Sequence, residues 1–216
     1  MSLPLIVTAA AVLALPRVQY TEAQRTQQIK SLPGAPQVDF KMFSGYVNIG
    51  VRGKLFFWFV ESQSATAATD PVLLWTNGGP GCSGLVGFLT ENGPFRPTEK
   101  GNLTLNPTAW NTLANMVYIE QPVGVGFSVA SGKLKYSDAQ AAEDNLNFLK
   151  GFFKLFPQYD HNRFYLTSES CERGLPNACP SCVGHIPRPQ RAPLSTLPSR
   201  LPLRSRRWRP LLANAC

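Results

Sequence analysis

The residues of this chain that can do chemistry are one serine and the backbone that would face it. Ser168-Glu169-Ser170 follows the apolar run Phe164-Tyr165-Leu166, which puts Ser170 at the end of a strand. Far upstream, Asn77-Gly78-Gly79-Pro80-Gly81-Cys82-Ser83 supplies a flexible backbone corner with N–H groups to spare. A third stretch, Glu120-Gln121-Pro122-Val123-Gly124-Val125-Gly126-Phe127-Ser128, lies between them. A nucleophile at a strand end and an oxyanion hole from an earlier Gly-rich loop are the material of a serine hydrolase. Taken singly, each has a plainer reading. Asn77 to Gly81 could be only a tight turn, Glu91 a solvated surface acid, and Glu169-Ser170 a polar pair closing a strand.

The elements that must position these residues can be read around them. Met42 to Ile49 alternates, Gly50 to Gly53 supplies turn residues, and Lys54 to Val60 resumes, which predicts a β-hairpin. Val72-Leu73-Leu74-Trp75 and Met116-Val117-Tyr118-Ile119 are continuous apolar runs, as expected of strands buried on both faces. Ser137-Asp138 reads as an N-cap. Ala141, Asn145, Phe148, Leu149, Phe152, Phe153 and Phe156 follow at helical spacing, and Pro157 closes the segment. That aromatic stripe reads as core. Strand, helix and strand with buried runs predict a βαβ crossover and an α/β fold with a mainly parallel sheet.

Composition adds bounds. A chain of 216 residues is long enough for one domain with a real core. The formal net charge of +8 sits mostly at the C-terminal end, where residues 171–216 carry eight Arg and a single acid, Glu172. The body, residues 1–170, is close to neutral, so no nucleic-acid partner is expected. The tail also holds eight Pro and sustains neither hydrophobic period, which predicts a disordered segment. Its sudden change of character suggests a shifted reading frame, an alternative splice or a gene-boundary error. Residues 1–20 open with an apolar run of signal-peptide length, too short to span a bilayer, and no other stretch qualifies as a membrane helix. Of five Cys, only Cys82 lies in the body. Cys179 and Cys182 with His185 do not make a metal site, and no metal or cofactor is expected.

With these motifs in view, the chain resembles the serine carboxypeptidase family of α/β hydrolases. The match runs from Phe43-Ser44-Gly45-Tyr46 to Ser170. It includes Leu74 to Ser83, Glu91-Asn92-Gly93-Pro94-Phe95, Asn106-Pro107-Thr108-Ala109-Trp110-Asn111 and Gln121 to Ser128. The division expected is a leader at 1–20, the N-terminal part of an α/β-hydrolase domain at 38–170, and a divergent tail at 171–216. The resemblance implies a secreted or vacuolar/lysosomal hydrolase that removes C-terminal residues from peptides at acidic pH. It makes Ser170 the nucleophile, and the N–H groups of Gly79 and Cys171 the oxyanion hole. Asn77, Glu91 and Glu169 would bind the substrate's terminal carboxylate, with Trp75 walling the pocket. Two carboxyls pressed together near an anionic ligand must hold a proton, which suits work at low pH. Asn102-Leu103-Thr104 is a glycosylation candidate if the chain enters the secretory route.

The same resemblance sets limits. The family follows its Gly-Glu-Ser-Tyr with small residues, whereas here Ser168 precedes Glu169, and Cys171-Glu172-Arg173 follows the nucleophile. An α/β hydrolase orders its triad Ser, Asp or Glu, then His. After Ser170 there is no Asp, the one Glu is Glu172, and the one His is His185, in a Pro/Arg-rich stretch with no strand expected to hold it. The expectation is therefore a site cut short before its Asp and His, inactive as this chain unless a second polypeptide supplies the missing half. Cys82 would also lack a partner in the body. Two other readings share these residues: an acyltransferase on the same scaffold, and a non-catalytic protein that binds peptide C-termini.

Overall fold

The computed structural model describes residues 18–169 and, as backbone, residues 184–185. In chain order the elements are α1 (Glu22–Thr26), β1 (Gln28–Ile29), β2 (Met42–Asn48), β3 (Gly53–Val60) and β4 (Val72–Asn77). They continue with α2 (Gly84–Val86), which runs into a π-helical turn over Gly87–Glu91, then β5 (Phe95–Pro97) and β6 (Leu103–Leu105). Last come β7 (Asn115–Ile119), β8 (Val129–Ala130), α3 (Asp138–Leu155), β9 (Phe164–Glu169) and β10 (Gly184–His185).

The main sheet runs β1-β2-β3-β7-β4-β9-β10, with β8 also paired to β3. Its parallel centre is β7–β4–β9, built from the three apolar runs and crossed over by α3. The hairpin β2–β3 is not a separate unit. Phe57 to Val60 of β3 pair antiparallel with Met116 to Ile119 of β7, so the hairpin extends the same sheet and the sheet as a whole is mixed.

Alternation along each strand divides the core in two. Leu55, Phe57, Phe59, Val72, Leu74, Val117 and Ile119 face α3 and meet Phe148, Phe152, Phe153 and Phe156 there. Trp58, Val60, Trp75, Met116 and Tyr118 face the other way, onto Phe88 and Phe95. The second face is covered by the helical stretch Gly84–Glu91 and by β5, and it carries the candidate site.

Helix α3 begins where Ser137 accepts from the Gln140 N–H and ends before Pro157. Its inward face is aromatic, and Phe152 alone stacks or abuts Phe57, Phe59, Phe148, Phe153 and Phe156. One ion pair locks its start. Arg52, in the hairpin turn, donates through Nε to both carboxylate oxygens of Asp144 at 2.9 and 3.0 Å. Burial pushes the Asp144 carboxyl up, and the Arg52 guanidinium opposes that push.

Residues before 38 also pack against the sheet and α3. Val18 and Tyr20 pack on the α3-side core, and the Tyr20 hydroxyl donates to Glu61. Glu61 also accepts from Tyr159 at 2.7 Å; burial drives that hydroxyl far above the usual tyrosine range, so it remains a donor. Gln24 of α1 donates through Nε2 to the Leu155 carbonyl at 2.6 Å. These elements are too short to show a hydrophobic period, and they hold by single polar contacts together with the packing of Val18 and Tyr20 on the core. Residues 18 and 20, at the end of the expected leader, lie against this core, while residues 1–17 lie outside the described residues.

The tail expected at 171–216 also lies outside the described residues, apart from β10. That strand corrects the expectation that no strand holds His185. Gly184 pairs with Leu166 and His185 with Tyr165, antiparallel to β9. An edge strand offers a row of open backbone groups to any segment that can reach it.

The aromatic stack predicts a specific cost. Phe152 is fully buried, so Phe152→Ala should lower stability by about 3–5 kcal/mol. Urea unfolding checks it: the midpoint should fall with the slope unchanged, and a loss below about 1 kcal/mol would show that the stack is not the core.

Candidate functional site

Two alternating positions build the site on β4. Trp75 and Asn77 point to the same face, and both are buried. Trp75 Nε1 donates to Asn77 Oδ1 at 2.9 Å. The backbone N–H of Gly87 donates to the same oxygen at 3.0 Å. With both donors on its oxygen, the Asn77 amide has one orientation, and its Nδ2 donates to Glu91 Oε1 at 2.7 Å. Glu169 sits beside Asn77 across the parallel pairing of β4 and β9, one residue before Ser170. Of the three residues expected to act together, Glu91 thus reaches Asn77 from the end of the π turn, and Asn77 and Glu169 stand at the C-terminal ends of adjacent strands. This is where open α/β sheets place their ligands.

Glu91 reaches Asn77 because the helix before it passes very close to the sheet. A Cβ on Gly87 would lie 2.1 Å from Trp75 Nε1 and 2.9 Å from Asn77 Oδ1. A Cβ on Gly84, one turn earlier, would lie 2.1 Å from the Ile119 carbonyl. The wide π turn, closed by Asn92 N–H to the Gly87 carbonyl at 3.0 Å, then delivers Glu91. Arg96 of β5 donates through Nη2 to the Glu91 carbonyl, and the Tyr118 hydroxyl donates to Asn92 Oδ1 at 3.0 Å. Burial, with the Glu91 charge beside it, holds the Tyr118 hydroxyl far above its ordinary range, so it too stays a donor.

The two Gly-rich motifs are tied together by a buried carboxylate. Glu120 accepts from the Ser83 hydroxyl of the first motif and from the Phe127 N–H of the second. Its backbone carbonyl accepts from Ser128 Oγ at 2.6 Å, and that hydroxyl accepts from the Phe56 N–H at 2.8 Å. Gly126, with φ of +52°, leaves the room: a Cβ there would come within 2.1 Å of the Glu120 carboxylate. The first motif turns on Gly79 and Gly81, with φ of +116° and +106°. Gly79 is exposed, and among the described residues its N–H has no acceptor. That leaves the donor open to a ligand.

The remaining expected site residues are placed as follows. Trp75 is edge-on to Trp110, with ring centroids 5.3 Å apart, and forms one wall beside Asn77. Cys82 is exposed and makes no disulfide among the described residues. Asn102 lies on the β5–β6 turn, away from β4. Ser170 and Cys171 lie outside the described residues. A separate hollow of about 300 Å³ is bounded by Arg52, Pro80, Pro122, Val125 and Tyr136. It backs onto the Gly-rich loops and does not include Asn77 or Glu91.

Sequence reasoning missed Gly87, Arg96 and the structural part of Glu120. The available signal was the spacing of Gly84 and Gly87, small residues three apart on one helical face directly after the Gly-rich corner. In an open helix Gly→Ala stabilises by about 0.5–1 kcal/mol. The close approach at Gly87 should reverse that sign, with Gly87→Ala lowering the urea midpoint. A rise in the midpoint would mean that the helix does not press on Trp75.

Comparison with known proteins gives the chain a family. The serine carboxypeptidase family profile matches residues 33–171. The lysosomal protective protein of Mus musculus is 49% identical over 146 residues, covering 66% of this chain and 31% of that protein. Serine carboxypeptidase 24 of Arabidopsis thaliana is 44% identical over 173 residues, covering 77% of this chain and 37% of that one. Among solved structures, Kex1(delta)p, a prohormone-processing carboxypeptidase from Saccharomyces cerevisiae, superposes with a TM-score of 0.60 at 26% identity. That superposition covers 69% of this chain and 36% of Kex1(delta)p. The chain thus spans about a third of the length of these relatives. On profile, sequence and fold together, it belongs to the serine carboxypeptidase family.

Proposed function

We propose that this chain carries the nucleophile half of a serine-type carboxypeptidase site. The observation that supports it best is the Asn77–Glu91 hydrogen bond, made at the end of the strand that neighbours β9. Asn77, Glu91 and Glu169 hold the C-terminal carboxylate of a peptide, and Trp75 walls that end of the pocket.

The chemistry follows from that placement. Ser170 Oγ attacks the carbonyl carbon of the last peptide bond, and the oxyanion that forms accepts from the N–H groups of Gly79 and Cys171. The C–N bond then breaks and the departing amine takes a proton, leaving an acyl group on Ser170 that water removes. Both proton transfers call for an imidazole oriented by an acid. Residues 171–216 contain no Asp, and their one Glu stands two positions from the serine. Loss of a triad member removes several orders of magnitude in rate. Turnover on this reading requires an acid and an imidazole to be brought to Ser170. We place it in the secretory or lysosomal route, a reading supported by its apolar N-terminal run and by the lysosomal name of one relative. Among the described residues no helix is long and apolar enough to cross a membrane.

Fluorophosphonate labelling followed by intact mass, with Ser170→Ala as control, tests the account of turnover. The expected result for the chain alone is no adduct. An adduct that disappears in Ser170→Ala would mean that a base reaches the serine, and the inactivity would be wrong.

A further inference from the structure

Two Asn-x-Thr triplets lie four residues apart in the covering hairpin and after it, and the structure treats them in opposite ways. Asn106-Pro107-Thr108 carries Pro at its middle position, which bars it as an N-glycosylation acceptor. Its asparagine is buried and fully used by the fold. Nδ2 donates to the Gly93 carbonyl at 2.8 Å, while Oδ1 accepts from the N–H and hydroxyl of Thr108 at 3.1 and 2.9 Å.

Asn102-Leu103-Thr104 has Leu in the middle and meets the acceptor rule. Asn102 is exposed on the turn joining β5 to β6, and Thr104 is exposed on β6, where its hydroxyl donates to the Arg96 carbonyl at the long distance of 3.3 Å. Only the backbone of Asn102 is engaged. Its N–H donates to Thr98 Oγ1 at 3.2 Å, and its carbonyl accepts from the Thr98 N–H at 2.8 Å. Among the described residues its carboxamide makes no hydrogen bond, so the fold loses nothing when that nitrogen is substituted. The neighbouring backbone makes room as well. A Cβ on Gly34, whose φ is +69°, would stand 2.8 Å from Asn102 Oδ1, and Gly34 has none. Leu103 meanwhile fixes the turn, its N–H donating to the Gly34 carbonyl at 2.8 Å.

We infer that Asn102 is an N-glycosylation site, the folded turn being built to carry a glycan that the neighbouring Asn106 could not. The inference rests on the secretory placement proposed above. The donor is a lipid-pyrophosphate-linked oligosaccharide. Nδ2 of Asn102 forms a bond to the anomeric carbon of the first sugar, and the bond from that carbon to the pyrophosphate oxygen breaks. The lipid pyrophosphate leaves with the electron pair, and the amide nitrogen gives up one proton to the transferase. Thr104 supplies the hydroxyl that completes recognition.

Translation of the full chain in the presence of endoplasmic-reticulum microsomes tests it, scoring only protease-protected product. The expected result is a single upward mass step, reversed by endoglycosidase H and lost in both Asn102→Gln and Thr104→Ala. Protected chain whose Asn102 is unmodified overturns the site while leaving the secretory placement intact. An absence of any protected chain removes the placement and the site with it. A step that persists in Asn102→Gln also overturns the assignment.

Discussion

The Asn77 amide is the contact on which the candidate site depends. A buried carboxamide that accepts two hydrogen bonds on its oxygen cannot rotate without leaving two N–H groups unpaired, at about 1–3 kcal/mol each. Trp75 and Gly87 supply those two bonds, one from the strand and one from the helix above it. The amide is therefore both a structural pin and a pointer. It fixes the distance between sheet and helix, and it presents its nitrogen to Glu91. Glycine at position 87 is the condition for that distance, since any side chain would overlap the Trp75 ring.

The rest of the fold serves that geometry from a distance. The aromatic packing of α3 on the opposite sheet face holds β7, β4 and β9 in register. Register in turn sets Asn77 beside Glu169, because paired residues on parallel strands share a face. The buried Glu120 carboxylate joins the two Gly-rich loops and so keeps the Gly79 corner at the strand end. A carboxylate accepting bonds from both loops suits this role, since it can bridge two backbones where an apolar residue could not.

Much of this was legible in the sequence. Val72 to Trp75 and Met116 to Ile119 are strands because a fully buried strand must be apolar on both faces, and α3 is bounded by a capping Ser137 and a terminating Pro157. Asn77, Glu91 and Glu169 came from family motifs; the fold bonds Asn77 to Glu91 and sets Asn77 beside Glu169. What could not be read were contacts made only in three dimensions. The pairing of β3 with β7, which joins hairpin to central sheet, leaves no local pattern. Residues 18–29 hold through the packing of Val18 and Tyr20, single polar contacts of Tyr20 and Gln24, and a two-residue strand, none of which shows a period. Strand β10 is two residues long in a stretch rich in Pro and Arg, and nothing in its composition marks a partner for β9.

The central claim is that Asn77 and its neighbours recognise a C-terminal carboxylate, and calorimetric titration at acidic pH tests it most directly. A short apolar peptide with a free C-terminus is compared with the same peptide amidated. The account predicts binding of the free acid, none of the amide, and loss of binding in Asn77→Leu. Equal binding of acid and amide would contradict it, because the pocket would then be reading the side chains of the peptide and not its terminus.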